Sequence, residues 1–228
     1  MGQSRRTLCK RDSHRRTGGS GLDSRPLRGD GHDDRPSAIV ASGIHTNDPH
    51  FAPAAQIDKA FVKGEVIQFD LWARLRKPGS IYADISWLGV FGPELPEKVK
   101  KPFASLVIAR DSAVAFIAES ASRGEDVTGA AVDAHVRTGL IAAGFEKALR
   151  HRTGHGIDVE VHGSGVNLDS LEFPDTRRLV EGACFSVEPG LYFQDFGLRT
   201  EIDVYISGGR PRVSGGTPQT AFLHCGAL

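Results

Sequence analysis

The chain has 228 residues, and its 28 Lys and Arg balance 28 Asp and Glu, so the formal net charge is zero. This balance argues against a whole-protein preference for nucleic acid or for anionic membranes. No apolar run approaches the ~20 residues of a membrane span, and no apolar segment follows Met1 as a secretory signal would require. The three cysteines form no CxxC pair. We therefore expect a cytoplasmic protein with one folded domain.

The first 36 residues differ in composition from the rest of the chain. They are rich in Arg, Asp, Gly and Ser and offer almost nothing for burial. Such a segment cannot offset the entropy lost on ordering. We therefore predict a disordered, low-complexity tail over 1–36 and a folded domain over 37–228.

Two strands are predicted next, over 65–73 and 81–89, joined by a turn that contains Pro78 and Gly79. Two strands joined by a Pro-Gly turn indicate an antiparallel hairpin. Because side chains alternate along a strand, one face of the second strand carries Tyr82, Asp84, Ser86 and Leu88.

Two helices are predicted after this hairpin. The first has apolar residues at helical spacing, and we begin it at Pro102 because proline is tolerated in a first turn. Its apolar residues are Phe103, Leu106, Val107, Val114 and Ile117. The second runs from Thr128 to Ala143, with Thr128 as N-cap and Gly144 as the stop.

Three histidines then fall in the stretch HRTGHGIDVEVHG, over 151–163. A second pair of strands follows, in ACFSVEPGLYF and GLRTEIDVYIS. Alternation places Glu188 on one face with Cys184 and Ser186. By the same rule Arg199, Glu201, Asp203 and Tyr205 share a face.

Four acids, Asp70, Asp84, Glu188 and Glu201, lie in or at the end of these apolar strands. A buried carboxylate needs a cation, a proton or strong donors. Any one of them alone is better explained by a salt bridge or a surface position. Four acids with a histidine between them indicate a metal site, and such oxygen-rich ligands suit Mn²⁺, with Zn²⁺, Co²⁺ or Fe²⁺ as alternatives. Four negative charges exceed what one divalent ion neutralises well, so we expect two bridged ions.

The motifs VASG, FDLWA, YADIS, HRTGHGIDVEVH, FSVEPGLY and GLRTEID, in this order, resemble the pita-bread metallopeptidases. That family includes aminopeptidase P, prolidase, methionine aminopeptidase and creatinase, and the resemblance runs from about Ile39 to the C-terminus. It implies an α+β fold in which helices cover a curved antiparallel sheet.

The resemblance also implies roles for individual residues. The metal ligands would be Asp70, Asp84, His155, Glu188 and Glu201, of which Asp84 and Glu201 bridge the two ions. His162 would stabilise the oxygen that becomes charged during hydrolysis, and Glu188 would also carry a proton to the leaving amine. His50, His151 and Arg199 would lie near the substrate, and their alternative role is structural hydrogen bonding.

The implied function is a dinuclear peptidase that hydrolyses the N-terminal bond of Xaa-Pro peptides or dipeptides through a metal-bridging hydroxide. Its partners would be a peptide substrate and, in a homodimer, a second copy, with no nucleic acid and no membrane. Two alternatives are a truncated, inactive remnant and a non-enzymatic binding module on the same fold. A creatinase-like amide hydrolase is less favoured, because the ligand set is complete.

The sequence departs from the family pattern at several places, including the following three. Asp158 replaces a glycine of the usual GHGIG, and Gly163 replaces the glutamate that commonly follows the histidine of the VH motif. Both changes are expected to reshape the substrate pocket. In addition, the Arg-rich tail stands where the family has helices and a strand, so we expect the domain to be incomplete on its N-terminal side.

Overall fold

The computed structural model describes residues 38–226 and the backbone of 22–23. The predicted tail over 1–36 lies outside the described residues, apart from those two. The described part contains two α-helices, α1 (Glu97–Ser122) and α2 (Gly129–Ala142), and three short 3-10 helices, Gly43–Asn47, Ala55–Ile57 and Glu146–Ala148. Its strands are β1 (Leu22–Asp23), β2 (Ala38–Ser42), β3 (Val66–Leu75), β4 (Ala83–Phe91), β5 (Cys184–Val187), β6 (Gly190–Tyr192), β7 (Gly197–Arg199), β8 (Ile202–Ser207), β9 (Arg210–Val213) and β10 (Leu223–Cys225).

The first sheet is built around the predicted hairpin. Strands β3 and β4 pair antiparallel, and Asp70 lies opposite Ser86 while Trp72 lies opposite Asp84. These four side chains therefore point to the same face of the hairpin. Strand β2 pairs antiparallel with β3, the short β1 pairs antiparallel with the end of β3, and β10 pairs with β4 in parallel.

The second predicted strand pair forms a two-stranded ribbon. It is divided into two segments that share the same pairing register. Strands β5 and β8 place Ser186 opposite Asp203, and β6 and β7 place Gly190 opposite Arg199. Regular pairing is interrupted between these segments, at residues 188–189 and 200–201. Pro189 contributes to this interruption because it has no N–H to donate. Strand β9 extends the ribbon beyond β8.

Helix α2 begins and ends where the sequence predicts. The side chain of Thr128 accepts a hydrogen bond from the backbone N–H of Ala131, as an N-cap does. Gly144, just past the end, has φ of +93°, which glycine adopts without strain. Within the described residues, neither helix is long and apolar enough to cross a membrane.

The predicted start of α1 at Pro102 is wrong, because the helix begins at Glu97. Pro102 removes only the N–H that would pair with the carbonyl of Lys98, which lies in an exposed first turn. Val99 is fully buried and continues the apolar stripe of Phe103 and Leu106 towards the N-terminus. Tertiary packing of this stripe outweighs the lost hydrogen bond.

The core lies between the helices and one face of the second ribbon. Buried apolar side chains of both helices cluster with Leu168, Phe185 and Leu198, none of which is exposed to solvent. Because side chains alternate along a strand, the opposite face of the ribbon carries the acidic residues Glu188 and Glu201. The apolar face thus fixes the ribbon while its polar face is free to line a site.

Candidate metal centre and active site

A cavity of about 410 Å³ lies between the β3–β4 hairpin, the ribbon formed by β5 to β8 and the loop that carries the three histidines. The hairpin is called the first ribbon below, and β5 to β8 the second ribbon. Strands β3 and β4 form one side of it, and the polar face of the second ribbon forms another. All the residues singled out from the sequence line this cavity: His50, Asp70, Asp84, His151, His155, His162, Glu188, Arg199 and Glu201. The fold therefore brings together segments that are more than 100 residues apart.

Asp84, His155 and Glu201 lie close together in the cavity and form its candidate metal centre. Each is buried, and each offers a ligand atom within 4.8 Å of the others. Asp84 Oδ1 and Glu201 Oε1 are buried and have no hydrogen-bond partner among the described residues. An orphaned buried carboxylate oxygen is costly unless a cation or a proton satisfies it. The three side chains therefore fit a divalent metal ion.

Glu188 and Asp70 complete the predicted ligand set around this centre. His155 Nε2 lies 3.3 Å from Glu188 Oε1 and 3.6 Å from Asp84 Oδ2. Asp70 forms an ion pair with Arg199, whose Nε also lies 3.7 Å from Glu188 Oε2. Asp70 thus stands at the same site but is bonded to a guanidinium.

The loop before His155 packs directly on strand β5. A side chain at Gly154 would collide with the carbonyl oxygen of Ser186, so only glycine allows this close approach. The backbone N–H of His155 donates to Ser186 Oγ at 2.9 Å, and that hydroxyl donates to Glu188 Oε1 at 3.1 Å. One serine therefore ties two predicted ligands together.

The two ribbons are joined by hydrogen bonds beside the ligands. The backbone N–H of Glu201 donates to the Ser86 carbonyl at 3.1 Å, and Ser86 Oγ donates to Glu201 Oε2 at 2.8 Å. Arg199 Nε donates to the same hydroxyl at 3.1 Å. A further bond joins the two ribbons nearby: the backbone N–H of Asp84 donates to Asp203 Oδ2 at 3.0 Å. These bonds hold Asp84 and Glu201 at fixed positions.

Burial raises the pKa of three of the four acids. For Asp84 and Glu201 the rise is large, because repulsion from neighbouring carboxylates adds to burial. Burial also raises the pKa of Asp70, although Arg199 opposes it. Burial would raise the pKa of Glu188 too, but His155 and Arg199 outweigh that effect and hold it below its usual range. Ionising all four acids would therefore create more negative charge than Arg199 offsets, and a divalent cation would offset the rest.

The other two histidines of the loop are held as neutral rings. Burial lowers the pKa of His151 to about 4, and its Nδ1 lies 2.6 Å from the Arg152 carbonyl while Nε2 lies 2.8 Å from the Tyr192 hydroxyl. A carbonyl can only accept, so Nδ1 donates and Nε2 accepts. His162 packs edge-on against His155, with ring centroids 4.4 Å apart, and burial lowers its pKa to about 4 as well.

His50 occupies a different kind of position. It lines the cavity but is exposed, and its backbone N–H donates to Asp48 Oδ1 at 2.9 Å. Three residues of the site, Ser186, Tyr192 and Asp203, had no role predicted from the sequence. Strand alternation predicted that Ser186 shares a strand face with Glu188 and that Asp203 shares one with Glu201. This shared face was the available signal that Ser186 and Asp203 lie near the ligands.

The chain matches the model of metallopeptidase family M24 over residues 14–208, which is most of its length. It belongs to metallopeptidase family M24. This M24 chain is 31% identical over 179 residues to a protein named probable dipeptidase PepE from Mycobacterium tuberculosis, covering 78% of this chain and 44% of that relative. It is 30% identical over 169 residues to an Xaa-Pro dipeptidase from Lactobacillus delbrueckii, covering 72% of this chain and 40% of the relative.

Solved M24 structures share the fold. A prolidase from Thermococcus sibiricus superposes with a TM-score of 0.69 at 28% identity, over 82% of this chain and 47% of that one. An X-Pro aminopeptidase from Thermotoga maritima gives 0.69 at 28% identity, over 82% and 49%. The predicted pita-bread fold is confirmed. The chain spans less than half the length of these relatives.

Proposed function

We propose that this chain carries the active site of a metal-dependent peptidase that hydrolyses the N-terminal bond of Xaa-Pro peptides or dipeptides. The observation that carries the proposal is the grouping of Asp84, His155 and Glu201 in one cavity, with two orphaned carboxylate oxygens. Membership of family M24 and relatives named Xaa-Pro dipeptidase support the same reaction.

Two divalent ions are proposed as cofactors, with Mn²⁺ preferred over Zn²⁺, Co²⁺ or Fe²⁺ because oxygen ligands predominate. The ions would be held by Asp84, Glu201, Asp70, His155 and Glu188. When bound, such ions lower the pKa of water and polarise a carbonyl group. Ser86 and Ser186 support this arrangement, because each hydroxyl orients one ligand carboxylate.

Glu188 is the proposed proton carrier. Its low pKa makes it a carboxylate at neutral pH, ready to accept a proton from the attacking water. Oε1 already accepts from Ser186, so Oε2 is the atom proposed to take the proton. Glu188 would then give this proton to the amide nitrogen as the C–N bond breaks and the new C–O bond remains.

His162 is the proposed donor to the substrate carbonyl oxygen, where negative charge develops. Its low pKa leaves the ring neutral at pH 7, so one ring nitrogen carries a proton for donation. The edge-on contact with His155 keeps this ring next to the ligands. A positioned donor of this kind stabilises the transition state more than the substrate.

The apolar part of the cavity wall supports a proline-containing substrate. Ile39, Phe51 and Trp72 line the same cavity as the proposed ligands. Apolar and aromatic surface with a few polar groups is typical of sites for small ligands. A pyrrolidine ring would bury apolar surface against these side chains, while the peptide carbonyl faces His162.

A binding module without catalysis is the second candidate, and one observation favours it. The ion pair between Asp70 and Arg199 uses a carboxylate that the second metal ion would need. If Arg199 retains Asp70, the site holds a single ion. Metal content measured at saturating Mn²⁺ separates the two: two ions per chain support the peptidase, and one ion with no turnover supports the binding module.

The deciding experiment is Mn²⁺-dependent hydrolysis of Ala-Pro and longer Xaa-Pro peptides, compared between the wild type, Asp84→Ala and Glu201→Ala. Loss of a side chain that only orients a metal ligand costs about 10- to 100-fold, so loss of a ligand itself should lower turnover by more than ~10²-fold. Glu119→Ala is the matched control, because Glu119 is exposed on α1. Turnover retained in both ligand variants would refute the proposed roles.

A further inference from the structure

The two positions at which the histidine loop departs from the family pattern, Asp158 and Gly163, are in contact in the structure. They stand on either side of the segment that carries His162 and face each other across its base. Tyr82 on the first hairpin donates its backbone N–H to the Asp158 carbonyl at 2.9 Å. The base of this loop is therefore anchored to the rest of the fold.

The side chain of Asp158 closes the loop upon itself. Oδ1 accepts the backbone N–H of Glu160 at 2.8 Å. Oδ2 accepts the backbone N–H of Ser164 at 2.9 Å and its hydroxyl at 3.0 Å. Burial would raise the pKa of Asp158, but these N–H and O–H donors outweigh it and lower the pKa, so the group is a carboxylate at neutral pH. In sequence, His162 lies midway between Glu160 and Ser164, the two residues bonded to Asp158.

Gly163 makes room for this carboxylate. A Cβ atom at position 163 would lie 2.6 Å from Asp158 Cγ and 2.8 Å from Asp158 Oδ2, which is closer than real Cβ atoms come. It would also lie 2.8 Å from the Asp158 backbone nitrogen. The carboxyl group cannot swing away without losing its bonds to Glu160 and Ser164. Any side chain at 163 therefore conflicts with the Asp158 side chain where it now stands.

We propose that Asp158 is a positioning residue that sets the place of His162, and that Gly163 is the matching change that its carboxylate requires. The two departures from the family pattern are then one coupled feature. Asp158 acts through His162, whose ring packs against His155 in the cavity. The proposal concerns the same reaction and rests on the proposed function for its kinetic consequence, but not for the coupling itself.

Gly163→Ala, Asp158→Gly and the double variant test the coupling, with Gly165→Ala as control. A Cβ at Gly165 would approach no other heavy atom closer than 3.5 Å, so this control adds the same methyl group to the same loop without a collision. Two readouts are needed. One is kcat and KM for Ala-Pro with Mn²⁺, at a temperature at which every variant is folded. The other is amide hydrogen exchange over residues 160–164.

We expect Gly163→Ala to lower kcat on the order of tenfold with KM almost unchanged, and to speed amide exchange in the loop. Residues in contact usually change each other's mutational effect by about 2- to 150-fold. In the Asp158→Gly background the same added methyl should therefore cost at least about twofold less than in the wild type. Rescue is incomplete because the backbone nitrogen of residue 158 would still lie 2.8 Å from the new methyl.

The proposal would be overturned if Gly163→Ala lowered kcat and accelerated amide exchange equally in the wild-type and Asp158→Gly backgrounds. A Gly165→Ala control that loses as much as Gly163→Ala would also overturn it. A wild type that cleaves no Xaa-Pro substrate with any divalent ion would instead refute the proposed function. In that case the exchange measurements still decide whether Asp158 and Gly163 are coupled.

Discussion

His162 is the residue whose proposed role is most easily separated from metal binding. It contacts the ligand His155 through its ring edge but is not one of the proposed ligands. We expect His162→Gln to lower kcat by about 10²–10³-fold, the usual effect of removing one donor to a developing oxyanion. KM and the bound Mn²⁺ should stay close to wild type. Steady-state kinetics and metal analysis of the same preparation check both parts.

His135→Gln provides a matched control for this variant. His135 is exposed on α2 and stacks on Phe116, away from the cavity. A variant of His162 that binds less metal, or loses activity through KM alone, would show that the ring supports the ligands or the substrate rather than the transition state.

At this scale the resemblance to a known family indicated which residues share a cavity, but it did not indicate how their side chains are held. All nine side chains that the family resemblance singled out line one cavity. The partners Ser186 and Tyr192 were not predicted. Tyr192 meets His151 across 41 positions of sequence, and strand alternation says nothing about a loop that lies over a strand.

At the scale of elements, helix α2 has an anchoring role that its sequence does not reveal. Asp133 is fully buried on this helix and receives hydrogen bonds from the loops around His155. Thr153 donates its backbone N–H at 2.9 Å and its hydroxyl at 2.5 Å, and Ser170 donates the same two groups at 2.8 and 2.5 Å. Arg137 pairs with the same carboxylate and donates to the His151 carbonyl.

Asp133→Asn should therefore destabilise the fold. An amide has one acceptor oxygen in place of two, so at least one buried donor of Thr153 or Ser170 loses its partner. Leaving a buried donor unsatisfied costs about 1–3 kcal/mol. Urea unfolding measures this loss. Thr138→Ala is the comparison on the same helix, because Thr138 is exposed and bonds only within its own turn, to Ala134. Equal midpoints for the two variants would contradict the anchoring role.

Elements were predictable where local rules act alone. Helix α2 follows its cap residue Thr128 and its stop Gly144, both of which act through neighbouring backbone groups. The start of α1 was placed too late, because burial of Val99 against the core decides it rather than the local preference of Pro102. Local sequence preferences are overridden wherever burial in the tertiary structure stabilises a different helix boundary more strongly.

At the scale of the whole molecule, the fold gathers carboxylates that would repel one another without a cation. Alternation predicts the polar face of each ribbon, but it cannot predict that the two ribbons meet. That meeting depends on contacts between distant segments, such as the bonds from Glu201 to Ser86 and from Asp84 to Asp203. The order of motifs predicted it only through the resemblance to a known family.

This crowding makes stability depend on pH and on metal together. Burial and repulsion from Asp84 raise the pKa of Glu201 far above its unfolded value of 4.5. A carboxyl group with a raised pKa contributes stability that is fully present below pH 4.5 and is lost as the pH rises through the raised value. The metal-free wild type should therefore lose stability at neutral pH through this group.

Glu201→Gln isolates that effect, since glutamine keeps the acceptor for Ser86 and carries no charge. In chelator, we expect the variant to match the wild type near pH 4 and to unfold at a higher temperature near pH 7.5. With Mn²⁺ the order should reverse at pH 7.5, because a ligand present at 100 times its Kd stabilises the wild type by about 2.7 kcal/mol. The variant has lost one ligand carboxylate and should gain much less. Thermal melts of both proteins at both pH values, with chelator and with Mn²⁺, cover the four conditions. A variant that is less stable than the wild type in chelator at pH 7.5 would show that Glu201 is satisfied by the protein itself and needs no metal ion.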